Sequence, residues 1–177
     1  MYKTQVLTPD AILINNDMDD FSSPDRSNQF GYVPSHPNFI VPGKRPLSSM
    51  SPIMVENRHT GALELIVGSS GGSRIITANI LTTYAYLSHH GQVSMDDVIA
   101  RPRWHDQLLP PVTVFEYPGA QTPGFDNATV RALTAKGHQA AYTAPGLSNA
   151  QASQHTHAGL WHAASERRQY EARGAAI

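Results

Sequence analysis

The chain contains 177 residues, of which 40% are hydrophobic and 15% are charged, and its 13 Lys and Arg nearly balance its 14 Asp and Glu. The hydrophobic fraction suffices for a buried core and excludes a disordered chain, and the near-neutral balance argues against a nucleic-acid partner. The absence of cysteine excludes disulfides, thiolate metal ligands and a cysteine nucleophile. We therefore expect one globular domain over residues 1–177, and its low charged fraction suggests that a partner covers one face.

The first predicted element is a short buried strand within Gln5–Asn15. Its apolar run, Ala11–Ile14, is bounded by Pro9 and by two asparagines, which is typical of a strand covered on both faces. The next stretch, 17–46, is rich in proline and carries scattered aromatic residues. A loop of about 30 residues without regular structure is usually functional or disordered, and the aromatic residues favour a substrate-binding loop over a linker.

A hairpin with strands over 52–56 and 62–67 is predicted from two apolar runs joined by a turn. The glycine-rich segment 68–72 ends the second strand. A helix over 73–88 follows, because apolar residues recur there at spacings of three and four. The expected buried face of this helix comprises Ile76, Ile80, Leu81, Tyr84 and Leu87.

The rest of the chain alternates between short strands and short helices. The predicted elements are a helix over 94–100, a strand over 112–117, a helix over 127–136, and strands over 139–143 and 158–164. The polar tail, 165–177, is expected to be peripheral. This order predicts an α/β or α+β fold in which helices pack on a sheet.

Three carboxylates stand close together directly after the first predicted strand. Asp17, Asp19 and Asp20 lie within four positions, and their mutual repulsion favours a cation there, either a metal ion or an ammonium group. The alternative is a turn in which the aspartates only cap the backbone.

Two adjacent hydroxyls, Ser48 and Ser49, lie between Pro46 and Pro52. Hydroxyls and backbone amides held in this way can donate hydrogen bonds to a substrate carboxylate without adding charge. Paired serines are common in loops, and an ordinary loop turn is the better explanation of this pattern taken alone.

Gly71 and Gly72 separate a predicted strand from a predicted helix. Without a Cβ the main chain can pass close to a ligand, and its amides near the positive end of a helix can hold an oxyanion. The segment GSSGGSR is neither a phosphate-binding P-loop nor a dinucleotide fingerprint.

The nine histidines follow no recognised zinc spacing. His155 and His157 alternate and could share one face of a strand, but exposed or core histidines explain them better. We assign no metal site and no cofactor.

Together the three clusters strongly resemble the C-terminal small subunit of the gamma-glutamyltransferases (gamma-glutamyltranspeptidases). The segments NNDMDDFSSP, PGKRPLSSMSP, GSSGGSRIIT and PRWHDQLLP stand in the family's order, and the resemblance extends from about Thr4 to Arg168. Four ordered motifs are specific where each one alone is not.

The resemblance implies an N-terminal nucleophile hydrolase fold, a four-layer αββα sandwich of which this chain is the incomplete small-subunit portion. It also implies a threonine hydroxyl that attacks the gamma-glutamyl amide of glutathione or a related compound and passes the acyl group to water, an amino acid or a peptide. By the matching motifs, the α-ammonium is bound by Asp17 and Asp20, the α-carboxylate by Ser48 and Ser49, and the oxyanion by the amides of Gly71 and Gly72.

The sequence departs from the family pattern in two places. The chain begins Met1-Tyr2-Lys3 and offers no threonine at a free N-terminus, which this chemistry requires. We therefore expect a fragment that lacks the nucleophile and the large subunit of the same precursor, and that is inert alone. Asp17 is also shorter than the Glu or Gln usual in the family. The family resemblance implies an extracellular, periplasmic or membrane-anchored location, conferred by the missing N-terminal part.

Two other classes of protein remain open from the sequence. The first is a non-catalytic amino-acid or glutathione binding or regulatory protein derived from the same family. The second is a metal-dependent hydrolase that uses the carboxylates and histidines.

Overall fold

The computed structural model of the chain describes residues 6–120, 122–146, 148–156, 158–169 and 172–174. The chain divides into two compact units, Met1–Ser48 and Ser49–Ile177. Parts of the predictions, including those for Thr4, Gln5 and His157, lie outside the described residues. No helix among the described residues has the length and apolarity needed to cross a membrane.

The first unit contains no buried strand among its described residues, so the prediction for Ala11–Ile14 is wrong. Leu7 and Leu13 form only an isolated antiparallel bridge, and Ile12, Leu13 and Ile14 are 61%, 59% and 47% exposed. The turn between them is closed by Thr8, whose hydroxyl accepts a hydrogen bond from the Ile12 amide at 3.1 Å. The apolar run fails as a strand because it returns from this turn onto a single bridge and joins no sheet.

The loop predicted over 17–46 is confirmed as lacking strands and α-helices. Its regular elements are two short 3-10 helices, Asp17–Asp20 and His36–Asn38. Both are single turns, and each has a backbone bond at its C-terminal end, from the Phe21 amide to the Met18 carbonyl and from the Phe39 amide to the His36 carbonyl. The role of this loop in substrate binding stays a prediction.

The second unit contains seven strands and three α-helices among its described residues. In chain order they are β1 (Ile53–Glu56), β2 (Leu63–Ser70), α1 (Arg74–Ser88), α2 (Met95–Ala100), β3 (Trp104–His105), β4 (Thr113–Glu116), α3 (Asn127–Thr134), β5 (Ala140–Thr143), β6 (Asn149–His155) and β7 (Trp161–Ala164). The predicted hairpin, helices and strands of this region are confirmed within a few residues. Strand β2 runs three residues further than expected, because Ser69 and Ser70 pair with Ala150 and Asn149.

The larger sheet has the strand order β1-β2-β6-β7, and all its neighbours are antiparallel. Helices α1 and α2 pack on it, and the core between them is made of Leu65, Val67, Ala85, Tyr86, Met95, Val98, Ile99, Ala152 and Ala164. A second sheet of order β3-β4-β5 has β4 and β5 parallel, with α3 as the connection between them. Helix α3 begins at an Asp126 cap, whose carboxylate accepts from the Thr129 amide at 2.7 Å.

Helix α1 forms where predicted, but the prediction of its buried face is wrong. Its buried side chains are Ala78, Asn79, Thr82, Ala85 and Tyr86, whereas the predicted Ile76, Ile80, Tyr84 and Leu87 are 48–69% exposed. The helix carries apolar residues on more than one side, so periodicity alone does not identify the side that meets the sheet. The buried side consists of two alanines, Thr82, Asn79 and Tyr86.

Two further features of the second unit differ from the predictions. Strand β6 was not predicted, because its sequence NAQASQH lacks the β-branched and aromatic residues that signal a strand. The expectation of a peripheral tail is wrong for Glu166 and Arg168, whose side chains are 0% and 2% exposed. Both charges are buried because each is paired with an opposite charge, as described below.

Candidate functional site

The acidic cluster occupies a single 3-10 turn in the first unit. The turn is closed by the Asp19 amide, which donates to the Asn16 carbonyl at 2.9 Å, and the side-chain acceptor at its start is Asn15, which receives the Asp17 amide at 3.0 Å. Asp17 and Asp19 are exposed and Asp20 is half-buried. Partial burial raises the pKa of Asp20, and the charges of Asp17 and Asp19 raise that pKa further.

Asp17, Asp20 and Ser48 all belong to the first unit. A buried side chain, Asn38, contacts the main chain at Asp20 and at the residue before Ser48: its amide group donates to the Asp20 carbonyl and accepts from the Leu47 amide, each at 2.8 Å. The predicted ammonium-binding and carboxylate-binding segments of this unit are therefore joined through one side chain.

Ser49, Gly71 and Gly72 belong to the second unit. The two glycines follow the end of β2 and have φ values of +128° and +62°, which glycine adopts without the steric cost that a Cβ would bring. Their carbonyls accept hydrogen bonds from the amides of Arg74 and Ile75 at 3.3 and 3.0 Å, and α1 begins there. The turn from strand to helix thus has the backbone form predicted for it.

Asn79 of α1 connects the serine segment with the glycine turn inside the second unit. This residue is 1% exposed. Its amide nitrogen donates to the Ser51 carbonyl at 2.5 Å, and its oxygen accepts from the Ser69 hydroxyl at 2.5 Å. Ser51 lies two residues after Ser49, and Ser69 lies two residues before Gly71, so Asn79 fixes the backbone near both predicted site segments.

Two histidines in the second unit make hydrogen bonds with threonine hydroxyls. His105 Nδ1 lies 2.9 Å from Thr77 Oγ1, and its Nε2 lies 2.9 Å from Gln107 Oε1. Burial lowers the pKa of His105, a shift that the hydrogen bond with Gln107 opposes. Thr113 Oγ1 donates to Asp106 at 2.5 Å and lies 3.0 Å from His138 Nδ1. These contacts tie the PRWHDQLLP segment to α1 and β4.

Four buried charges form a closed network that holds the tail of the second unit. Glu166 pairs with both Arg103 and Arg168, the latter at 2.8 Å, and Glu116 pairs with Arg168 at 2.8 Å. Glu166 also accepts from the Ala150 amide at 3.0 Å. Burial lowers the pKa of Arg103, and the Glu166 charge opposes that shift. The two positive and two negative charges balance, which is the condition for burying them.

The structure offers no metal cluster within its described part. No group of three or more His, Asp or Glu side chains there is arranged to hold an ion, and His157 lies outside the described residues.

The fold agrees with that of solved gamma-glutamyltranspeptidases. A mutant of the Helicobacter pylori gamma-glutamyltranspeptidase aligns with a TM-score of 0.78 and 31% identity, over 93% of this chain and 85% of that chain. The Pseudomonas nitroreducens gamma-glutamyltranspeptidase complexed with L-DON aligns with a TM-score of 0.77 and 32% identity, over 96% of this chain and 84% of that chain. The chain therefore has part of the N-terminal nucleophile hydrolase fold, and the predicted fold class is confirmed.

The family follows from the sequence comparison. Residues 1–176 match the family model described as Gamma-glutamyltranspeptidase, so the chain belongs to the gamma-glutamyltranspeptidase family. A "Glutathione hydrolase proenzyme" of Arthroderma benhamiae is 40% identical over 138 residues, which are 77% of this chain and 22% of that relative. The chain thus spans about a fifth of the length of such a relative.

Several residues that organise the two units were not singled out from the sequence. In the sequence, Asn38 and Asn79 look like ordinary loop and helix residues. Their hydrogen-bond partners lie 9 to 28 positions away, so no local pattern marks them. Glu166 lies in a polar tail and its partner Arg103 lies 63 positions away. No spacing rule connects such residues.

Proposed function

We propose that this chain supplies the gamma-glutamyl recognition and oxyanion-stabilising part of a gamma-glutamyltransferase or glutathione hydrolase. The α-ammonium of the gamma-glutamyl group binds Asp17 and Asp20, and its α-carboxylate binds Ser48 and Ser49. The main-chain amides of Gly71 and Gly72 stabilise the oxyanion of the tetrahedral intermediate.

The observation that carries this proposal is the crowding of carboxylates in the turn Asp17–Asp20. The raised pKa of Asp20 means that its ionised form is disfavoured by partial burial and by its neighbours. An ammonium group placed there removes part of that cost, so the cluster favours a cationic ligand. Glutathione and other gamma-glutamyl compounds carry such a group on the carbon next to a carboxylate.

The opposite pole of the same amino acid requires donors without negative charge, which Ser48 and Ser49 provide. Their hydroxyls donate, and the neighbouring backbone adds amide donors. The oxyanion forms on the gamma carbonyl of the substrate, at the far end of the glutamyl side chain from the α-carbon. It needs preorganised hydrogen-bond donors of its own. The positive-φ glycine turn before α1 is of the kind that supplies them at a helix N-terminus.

The reaction itself is an acyl transfer. A threonine hydroxyl attacks the gamma carbonyl, the amine leaves, and water, an amino acid or a peptide then takes the acyl group from the threonine. We assign binding and oxyanion stabilisation to the residues of this chain. We assign the attack to the family's N-terminal threonine, carried by another segment of the same kind of precursor together with the large subunit.

Isothermal calorimetry of the full chain with L-glutamate tests the binding part. The charge-assisted contacts of Asp20 contribute about 1.5–3 kcal/mol, so Asp20→Asn should weaken glutamate binding roughly ten- to a hundredfold. Asp19→Asn is the matched control, because it removes an exposed carboxylate one position away that is not assigned to the ligand. Equal effects of the two substitutions, or no effect of either, would contradict the assignment.

A binding or regulatory protein that keeps amino-acid recognition without catalysis is the second candidate. It shares the ammonium and carboxylate sites but does not use the oxyanion donors. The two are separated by the release of nitroaniline from a gamma-glutamyl anilide when the chain is assembled with both the threonine-bearing segment and the large subunit of a relative. Turnover of the anilide by this assembly supports the enzyme, and glutamate binding without turnover supports the second candidate.

A further inference from the structure

Asn38 is a buried polar residue inside the first unit, at the end of the second 3-10 helix. It is 8% exposed, and its surroundings are loops without α-helix or strand. A buried carboxamide is retained only where its donors and its acceptor are satisfied.

The carboxamide of Asn38 bridges two segments that are far apart in the chain. Its Nδ2 donates to the Asp20 carbonyl at 2.8 Å, and its Oδ1 accepts from the Leu47 amide at 2.8 Å. A weaker contact from Nδ2 reaches the Ser22 hydroxyl at 3.4 Å. The first segment carries the proposed ammonium ligand, and the second leads directly into Ser48.

The backbone around Asn38 reinforces this bridge. The Asn38 carbonyl accepts from the Ser22 amide at 3.0 Å. Phe21 is buried beside the end of the acidic turn, and the Lys44 ammonium lies 5.5 Å from the centre of its ring. Main-chain and side-chain contacts thus hold residues 20–22 against the region 38–47.

We propose that Asn38 is a positioning residue that sets the separation between the ammonium-binding carboxylate of Asp20 and the carboxylate-binding hydroxyl of Ser48. This inference rests on the proposed function of those two residues. A free amino acid can bind Asp20 with its ammonium and Ser48 with its carboxylate at the same time only if the two segments are already held at the right distance. Asn38 provides that distance before the ligand arrives, so the ligand does not have to order the loop.

A carboxamide suits this role because it donates and accepts from one rigid planar group. A hydroxyl is shorter, and a carboxylate has no proton to donate to the Asp20 carbonyl at neutral pH. Loss of the bridge therefore affects chiefly ligands that engage both segments. Ligands that engage only one segment do not depend on the distance between the two.

The experiment compares three ligands by calorimetry on the full chain. L-Glutamate carries both poles, 4-aminobutyrate lacks the α-carboxylate, and glutarate lacks the α-ammonium. We expect Asn38→Ala to weaken glutamate binding by about tenfold or more, the equivalent of about one net hydrogen bond, while the two single-pole ligands change by less than about threefold. Asn38→Leu, which keeps a branched side chain of similar shape, should behave in the same way and guards against a simple cavity effect.

Asn28→Ala is the matched control. Asn28 lies in the same unit, and its Oδ1 also accepts from two backbone amides, those of Phe30 and Tyr32 at 3.0 and 3.1 Å, but these contacts are local and exposed. It should leave all three affinities unchanged. If Asn38→Ala and Asn28→Ala cannot be told apart, or if all three ligands weaken equally with Asn38→Ala, the positioning role is wrong while the proposed function stands.

A second measurement uses the unsubstituted chain and does not depend on a variant that folds. Hydrogen exchange of the Leu47 amide, which donates to Asn38, should slow when glutamate is bound and should not slow with glutarate or 4-aminobutyrate. Unchanged exchange with bound glutamate overturns the inference. No glutamate binding by the unsubstituted chain overturns the proposed function itself, and the inference with it.

Discussion

Removing the Glu166 carboxylate should be among the most destabilising single changes in the second unit. Its side chain is fully buried and is paired with the guanidinium groups of Arg103 and Arg168. It also accepts from the backbone amides of Ala150 and Arg168 at 3.0 and 3.1 Å. Glu166→Ala leaves four donors without this acceptor and leaves one buried positive charge in excess, because only Glu116 remains to balance two arginines.

Breaking a buried ion pair by removing one partner costs about 3–5 kcal/mol. The total stability of a domain is about 5–15 kcal/mol, so Glu166→Ala should remove about a fifth of it or more. Glu166→Gln keeps the shape and one acceptor but not the charge, and should fall between the parent and the alanine variant. The cost arises from the arginines left behind and not from the net strength of the original pairs.

Urea unfolding followed by tryptophan fluorescence measures this directly, because both tryptophans of the chain, Trp104 and Trp161, lie in strands of the second unit. The control is Asp96→Ala, which removes a half-exposed partner of His162 at 3.1 Å. That substitution should cost about 1 kcal/mol or less. A Glu166→Ala variant that loses no more than this control would refute the claim that the four charges form one buried network.

Three further predictions concern acidity and the surface. Burial and the neighbouring Asp17 raise the pKa of Asp20, so glutamate affinity measured by calorimetry should fall as the pH drops through that pKa, and Asp17→Asn should shift the fall to lower pH; an unmoved midpoint would count against the coupling. Burial lowers the pKa of His105 below its usual 6.5, so the stability that its neutral form provides is present above pH 6.5 and is lost as the pH falls through the lowered pKa. The urea midpoint should therefore drop less between pH 7 and pH 5 for His105→Gln than for the parent, and equal drops would contradict this. Lys substitutions at the exposed Ile80 and Tyr84 of α1 should reduce self-association in sedimentation experiments without lowering the urea midpoint. Unchanged self-association would show that this face of α1 does not drive it.

The sequence predicted local structure well where the signal was local. The hairpin of β1 and β2, the helix α1 and the strand β4 follow from apolar alternation, from glycine in the turns and from spacings of three and four. Two of the failures share one cause, which is that burial depends on what lies opposite. The run Ala11–Ile14 has strand composition but no sheet to join, and the apolar face of α1 with Ile80 points away from the sheet.

The candidate site was accessible from the sequence only as a set of separate motifs. Their meaning came from the resemblance to one family, which the family match over residues 1–176 now supports, and the individual binding roles stay predictions. The residues that support the candidate site through hydrogen bonds and ion pairs could not be predicted from the sequence. Asn38, Asn79 and Glu166 act through partners that are distant in the chain. The sequence around an asparagine or a glutamate does not indicate such a partner.

The closed charge network has a consequence for the order in which the second unit is made. Arg103 leaves the ribosome more than sixty residues before its carboxylate partner Glu166, and the interval between β2 and its neighbour β6 is longer still. Until those residues emerge, the nascent unit has a hairpin and helices, but the edge of β2 is unpaired and Arg103 lacks the carboxylate of Glu166. Completion of this unit during translation is therefore late, and the interval before it is when the growing chain is most exposed to chaperones and proteases.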